Sequence, residues 1–216
     1  MEIAATEQQV VSATKLSSAS TFLENERALL RLIQEDWQTN FRDWTQPGFR
    51  ALAVHRFGTW VQQLRWRPLR VVLRRVHTSL YRYARNHYGV ELPVTAVIGR
   101  RVVFGHQSCI VIHANAVIGD DCFLRQNVTL GVINAERGSQ APTLGRGVVL
   151  GCGAVILGGV TIGDRATIGP NAVVITDVPA DTAVFPSTPR MITPPNPAAT
   201  LNPDADALVA GSRSHA

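Results

Sequence analysis

Of the side chains in this 216-residue sequence, His106 has the setting that most favours chemistry. It follows Gly105 and precedes Gln107-Ser108, at a point where a regular beat of aliphatic residues is interrupted. A neutral imidazole, with a pKa of about 6.5, takes a proton from a hydroxyl at physiological pH, which is the work of a general base. Such a base gains from a carboxylate that fixes its tautomer and stabilises the imidazolium. Glu91 stands 15 residues earlier, a little under one coil of a three-sided solenoid with about eighteen residues per turn. Spacing alone leaves a plain alternative, in which His106 is a corner residue bonded to a backbone carbonyl and Glu91 a solvated acid at a strand start. His113 takes the place of a corner glycine and is expected to point outward, while His55, His77 and His87 have no ligand-like spacing to acids or thiols. No metal is expected. Gly145-Arg146-Gly147 and Gly151-Cys152-Gly153 look like pieces of a nucleotide loop but lack the strand before and the helix after that such a loop requires. The sequence contains no G-x-S-x-G elbow and no HExxH.

The beat that His106 interrupts organises the chain from Ile98 to Val174. Ile112, Ile118, Leu124 and Leu130 recur every sixth residue, and so do Leu144, Leu150, Ile156, Ile162, Ile168 and Val174. Small or β-branched residues (Ala116, Cys122, Val128, Val148, Ala154, Val160, Ala166, Ala172) sit two positions ahead of them. Neither a 3.6-residue helix nor a two-residue strand repeat gives that period. A solenoid with flat faces does, and stacked coils let each short strand bury its aliphatic residue against the coils above and below. The expected fold is a parallel β-helix. Its register slips by two residues at His106–Cys109 and again between Leu130 and Leu144. Insertions in a solenoid become loops on one side, often the binding side, so function is expected near these two breaks.

Ahead of the coils the pattern is helical. Thr21-Phe22-Leu23-Glu24 has the form of a capping box for a helix running to about Trp37. Gly48 to Leu64 resumes helical spacing, and Arg67-Pro68 opens a third helix that Gly89 stops. The predicted division is a disordered 1–20, a helical segment 21–89, a β-helix 90–190 and a flexible tail 191–216. The net charge of +5 is unevenly placed, with no acid between Asp43 and Glu91 but many arginines. A basic helix of this kind suits anionic lipid or nucleic acid, yet equally a solvated or subunit-facing side whose arginine stems cover apolar surface. The plainer reading is preferred, and nucleic acid is not expected, because aromatics are not interleaved with the basic residues. Cys109, Cys122 and Cys152 show no CxxC spacing, and Cys122 falls on an inward position, so it is expected to be a buried thiol. With no basic, apolar leader and no stretch long enough to span a bilayer, a soluble cytoplasmic protein is expected.

At this point the residues resemble a known family. The Gly-His at the first break, Arg125-Gln126-Asn127-Val128-Thr129-Leu130-Gly131 and Gly151-Cys152-Gly153-Ala154-Val155-Ile156-Leu157-Gly158 are similar to serine acetyltransferases. The likeness runs from about Val90 to Pro189 and loosely back to Pro47–Leu52. It implies a left-handed β-helix behind a helical segment, a homotrimer, and acetyl-CoA as co-substrate lying along the coils between subunits. It also implies His106 as base, with Glu91 on the position of its partner aspartate. The coenzyme arm would pass Gly131, Gly151, Cys152 and Pro170, with Arg190 near its phosphates. Asp43 or Asp36 matches an aspartate ahead of the Pro-Gly-Phe stretch, and Gln140 and Ala141 replace an Arg-His pair that helps hold serine. Gly105 replaces an acid. The expected activity is O-acetyl transfer from acetyl-CoA to the hydroxyl of L-serine. Acetylation of a sugar hydroxyl in polysaccharide synthesis and a non-catalytic trimeric scaffold remain as alternatives. The sequence ends His215-Ala216, without the terminal isoleucine that docks into cysteine synthase in many relatives, so that complex is not expected.

Overall fold

The computed structural model describes residues 26–64, 66–106, 108–134 and 140–187. The described residues begin with three helices: α1 (Glu26–Thr39), α2 (Pro47–Gln63) and α3 (Arg67–Tyr83). Pro47 and Pro68 occupy first turns, where a missing N–H costs nothing. A wide π-type turn, Ala84–Tyr88, continues α3 and ends at Gly89, whose φ of 64° is a left-handed conformation that glycine adopts freely. The three expected helices are therefore present. The proposed cap at Thr21, the two terminal segments and Arg190 lie outside the described residues.

Among the described residues fourteen short strands follow: β1 (Val90–Glu91), β2 (Val97–Ile98), β3 (Val103–Phe104), β4 (Ile110–Ile112), β5 (Val117–Ile118), β6 (Phe123–Leu124), β7 (Thr129–Gly131), β8 (Thr143–Leu144), β9 (Val149–Leu150), β10 (Val155–Leu157), β11 (Thr161–Ile162), β12 (Thr167–Ile168), β13 (Val173–Val174) and β14 (Ala183–Val184). Every pairing is parallel, and the strands form three faces of a prism. The first face stacks β1, β4, β7, β10 and β13; the second β2, β5, β8 and β11; the third β3, β6, β9, β12 and β14. The fold is the expected left-handed parallel β-helix. An unbroken coil is 18 residues long, as the pairing of Val149 with Thr167 shows. The six-residue beat fills the core: Leu124, Leu130, Leu144, Leu150, Ile156, Ile162 and Ile168 are all 0 % exposed. The small inward residues seal the corners between them. Among these, burial pushes the Cys122 thiol up to about 12, so it stays protonated.

The helices close the otherwise open first coil. Strand edges with unpaired carbonyls invite foreign pairing and are costly to bury bare. Arg56 donates from Nη1 to the carbonyl of Ile98 at 2.7 Å and from Nη2 to that of Gly99 at 2.5 Å. Asn40 donates to the carbonyl of Val102 at 3.2 Å, and His55 Nε2 lies 3.0 Å from that of Ala96. Burial holds the His55 imidazole down to about 3, so it is neutral and Nε2 carries the proton in this bond. Arg56 is in turn paired with the buried Asp36, Nε to Oδ2 at 2.9 Å.

The edge between second and third faces carries charges of alternating sign. Arg101 donates to both carboxylate oxygens of Asp121, and Arg146 donates to Asp121 Oδ2 at 2.9 Å. Higher up, Arg165 forks onto Asp181. The hydrogen bonds from Arg101, and behind them those from Arg146, hold Asp121 down from its ordinary 3.8 to about 2. A carboxylate with a depressed folded-state pKa stabilises the fold above its unfolded pKa and loses that contribution as pH falls through the folded value. Asp121→Asn is thus expected to be less stable than the parent protein near neutrality. The gap should close as the pH is lowered from 3.8 to about 2. Urea midpoints measured across that range check it, and a gap independent of pH would refute it.

Candidate active site

The first break lies where β3 hands over to β4, at the edge between third and first faces. A normal corner has one left-handed residue before the chain turns inward, as at Asn127 and Asn171 (φ 61° and 57°). This corner has two. Cys109 (φ 49°) fills the ordinary position, since Ser108 accepts from the amide of Asn127 and Ile110 then turns into the core. His106 (φ 60°) is the extra one, and it is exposed. Positive φ is the rule at the corners of this prism, so what sets His106 apart is that it is the extra residue of its corner and exposed. Its side chain points away from the coil interior.

Glu91 is on β1, the lowest strand of the first face, paired with Val111 of β4. Val90 and Leu92 on either side are buried, so Glu91 faces outward. Directly beneath the break lies Gly89: its carbonyl accepts from the Ile110 amide at 2.9 Å, and a Cβ there would come within 2.9 Å of the Cys109 nitrogen. Glu91 is therefore one step in from the edge rather than straight below His106. Its charge is felt by Tyr81 at the end of α3, whose phenol is raised first by burial and then by Glu91.

The corners of the coils stack along this edge in register. Gly105 accepts its place from Leu124, whose carbonyl takes the Gly105 amide at 2.9 Å. One coil above His106 come Arg125 and Gln126; Gly151 and Cys152 follow, then Pro170. Coils about 4.8 Å apart place Gly151 roughly 10 Å and Pro170 roughly 14 Å above the histidine. Gly151 is buried, and a Cβ there would lie 2.6 Å from the Pro170 nitrogen, so any larger residue would force these two corners apart. Gly131 and Gln140 are elsewhere. Gly131 ends β7 and Gln140 stands against Gly159, both at the edge between first and second faces. The two breaks, expected to share one site, flank the first face on opposite edges in a single chain. The reason is arithmetic: the breaks follow β3 and β7, strands of different faces.

The remaining candidates are occupied otherwise. Asp43 Oδ1 accepts from the amide of Thr45 at 2.7 Å and its hydroxyl at 2.6 Å, bonds that hold its carboxyl below the ordinary range and shape the turn into α2. Asp36 is committed to Arg56, although burial pushes its carboxyl upward. Gly105, standing where the resemblance has an acid, is buried, and a Cβ on it would meet Cζ of Phe123 at 2.6 Å. The Phe123 ring thus fills the space of that side chain, with the Arg125 guanidinium 5.8 Å from its centroid. Sequence reasoning passed over three residues here. Gln126, directly above His106, has its Oε1 buried without a hydrogen-bond partner among the described residues. Arg125 is exposed beside it. Arg50, which donates to Tyr88 Oη at 2.9 Å, spans the flanks of the break, because Gly48 abuts Phe104 and Gly89 abuts Cys109. The stacking of residue 126 on residue 106 was readable from the coil count; the others needed coordinates. Among the described residues no three His, Cys, Asp or Glu side chains gather as metal ligands, and no helix is long and apolar enough to cross a membrane.

Comparison with known proteins bears on the same region. Residues 141–176 match the family model described as bacterial transferase hexapeptide (six repeats). A serine acetyltransferase of Synechococcus elongatus is 38 % identical over 146 residues, 68 % of this chain and 57 % of that protein. The chain thus spans under two thirds of that relative's length. A Helicobacter pylori serine acetyltransferase is 33 % identical over 172 residues, covering 77 % of this chain and 95 % of that one. Soybean serine acetyltransferase complexed with serine superposes with a TM-score of 0.64 at 28 % identity, covering 82 % of this chain and 73 % of that one. The Helicobacter protein is matched almost end to end, helices as well as coils, so the likeness is not merely one of shared hexapeptides: this chain belongs to the serine acetyltransferase family of hexapeptide-repeat acyltransferases.

Proposed function

We propose that the protein is an acetyl-CoA-dependent O-acetyltransferase whose acceptor is the hydroxyl of L-serine. The observation that carries this reading is His106, held exposed in a left-handed conformation at the extra turn of one prism edge. His106 removes the proton of the acceptor hydroxyl, and the oxygen attacks the thioester carbonyl. The tetrahedral oxyanion collapses, the C–S bond breaks, and the departing coenzyme thiolate takes the proton back from the imidazolium. Glu91 orients the imidazole and offsets its positive charge.

Acetyl-CoA is proposed to lie along the edge above His106, past Gly151, Cys152 and Pro170, with Arg190 near its phosphates. A homotrimer is the arrangement that makes use of Gly131 and Gln140. In a cyclic ring a heterologous contact sets one edge of a copy against a different edge of the next, which brings the two halves of the site together between subunits. We place the protein in the cytoplasm.

One observation favours a second acceptor. Gln140 and Ala141 present no cation where the resemblance expects one, and a carboxylate left unpaired is costly. A sugar hydroxyl makes no such demand; serine would have to find its cation in Arg125 or Arg50. Release of free thiol from acetyl-CoA, followed with L-serine and with a panel of sugars, separates these readings. Serine-dependent release is expected. Release with sugars alone would transfer the reading to the second acceptor, and none with any acceptor would leave a scaffold.

A further inference from the structure

Where the helices meet the first coil, the arginines are answered by carboxylates, with one exception. Arg56 pairs with Asp36, and Arg100 and Arg101 pair with Glu35. Arg50 is exposed and makes no ion pair among the described residues. Its Nε donates to the carbonyl of Trp44 at 2.7 Å and its Nη1 to Tyr88 Oη at 2.9 Å. Nη2 has no partner among the described residues, so the guanidinium is fixed at two points with donors to spare. Asp43, whose charge it feels, is bound to the amide and hydroxyl of Thr45 instead. The place of this cation matters. A Cβ on Gly48, two residues before Arg50, would lie 2.5 Å from the Phe104 carbonyl oxygen, just ahead of His106. Gly89, next to Tyr88, abuts Cys109, just after it. The bond from Arg50 to Tyr88 therefore joins the two flanks of the corner that holds His106, on its helix side. The proposed coenzyme track past Gly151, Cys152 and Pro170 leaves that corner the opposite way, up the coils. Donor and acceptor cannot share one space, so the side left to the acceptor is the one where Arg50 stands.

We infer that Arg50 selects the acceptor: its open donors hold a carboxylate of that molecule while His106 takes the proton from the hydroxyl. A guanidinium fits both oxygens of a carboxylate and fixes its orientation as well as its charge. In serine the carbon bearing the hydroxyl is only one carbon removed from the carboxylate, so the cation must stand beside the base. Gln140 and Ala141 offer no charge. Arg125 is one coil higher, on the coenzyme's side of His106, with its guanidinium 5.8 Å from the Phe123 ring centroid. The inference rests on the proposed acetyl transfer and adds which group of the acceptor is read.

The test measures thiol release from acetyl-CoA with two matched pairs of acceptors, L-serine against L-serinamide and glucuronate against glucose. The parent protein is expected to favour L-serine over its amide at least about tenfold in kcat/KM, the lower end for a charge-assisted bond at an exposed site. Arg50→Gln should raise KM for L-serine about tenfold and bring the pair within about twofold, with kcat and KM for acetyl-CoA near the parent's. Arg50→Lys should recover part of the preference, and Arg125→Gln should keep it. Equal use of serine and serinamide by the parent would overturn the inference and leave acetyl transfer standing. So would a preference that survives Arg50→Gln or is lost in Arg125→Gln. An Arg50→Gln protein with a lower urea midpoint and both KM values raised would make Arg50 a clamp for Trp44 and Tyr88 and nothing more. If serine is not acetylated but glucuronate is preferred to glucose through Arg50, the serine reading fails and the inference holds. Turnover of no acceptor would end both.

Discussion

Replacing His106 by alanine is expected to lower kcat for acetyl transfer by about 10²- to 10⁴-fold, the range that positioned acid–base groups contribute. KM for acetyl-CoA should hardly move, because the coenzyme is proposed to bind on the coils above. Alanine is no more comfortable than histidine at a φ of 60°, so His106→Gly is the companion variant. It removes the imidazole and relieves the backbone at once. It should lose the same activity while folding at least as stably, which separates a chemical defect from a structural one. Glu91→Gln keeps size and removes charge, so it should cost at least about tenfold in kcat, with Glu91→Asp recovering most of it. Steady-state thiol release with each purified variant supplies the numbers. Turnover by His106→Ala equal to that of the parent would end the proposed mechanism.

The prism itself was legible in the sequence because its physics is periodic. A residue that must be small, then two positions on one that must be aliphatic, repeats without exception from Ala116–Ile118 to Ala172–Val174 outside the loop, and every one of those side chains is buried. The breaks in that beat were equally plain, and one of them does carry the exposed, extra histidine. What the pattern did not yield was which edge each break occupies. Treating both as one binding side overlooked that β3 and β7 end on different edges, so Gly131 and Gln140 are parted from His106 in one chain. Gly105 shows a second limit. From sequence it reads as a lost acid; in the structure the ring of Phe123, 18 residues further on, occupies the place a side chain would need. Asp43 shows a third, since a short polar residue ahead of a helix serves its own turn as readily as a substrate.

Arg56→Ala is expected to destabilise the fold by about 3–5 kcal/mol, the cost of breaking a buried ion pair and stranding its partner. Arg56 has 5 % of its side chain exposed and Asp36 none, so neither charge finds water if the other is removed. Two first-coil carbonyls, those of Ile98 and Gly99, lose their donor in the same step. The double variant Asp36→Leu with Arg56→Leu is the informative control. It removes both charges but still leaves the carbonyls bare, so it should recover part of the loss and not all of it. Urea unfolding of the two single variants and the double one resolves the contributions. Full recovery would mean that the pair alone matters and that the coil edge needs no cap. No recovery would place the whole effect in the carbonyls of the first coil. The intermediate result is the one that the geometry requires, because Arg56 serves Asp36 through Nε and Nη2 and the β-helix carbonyls through Nη1 and Nη2.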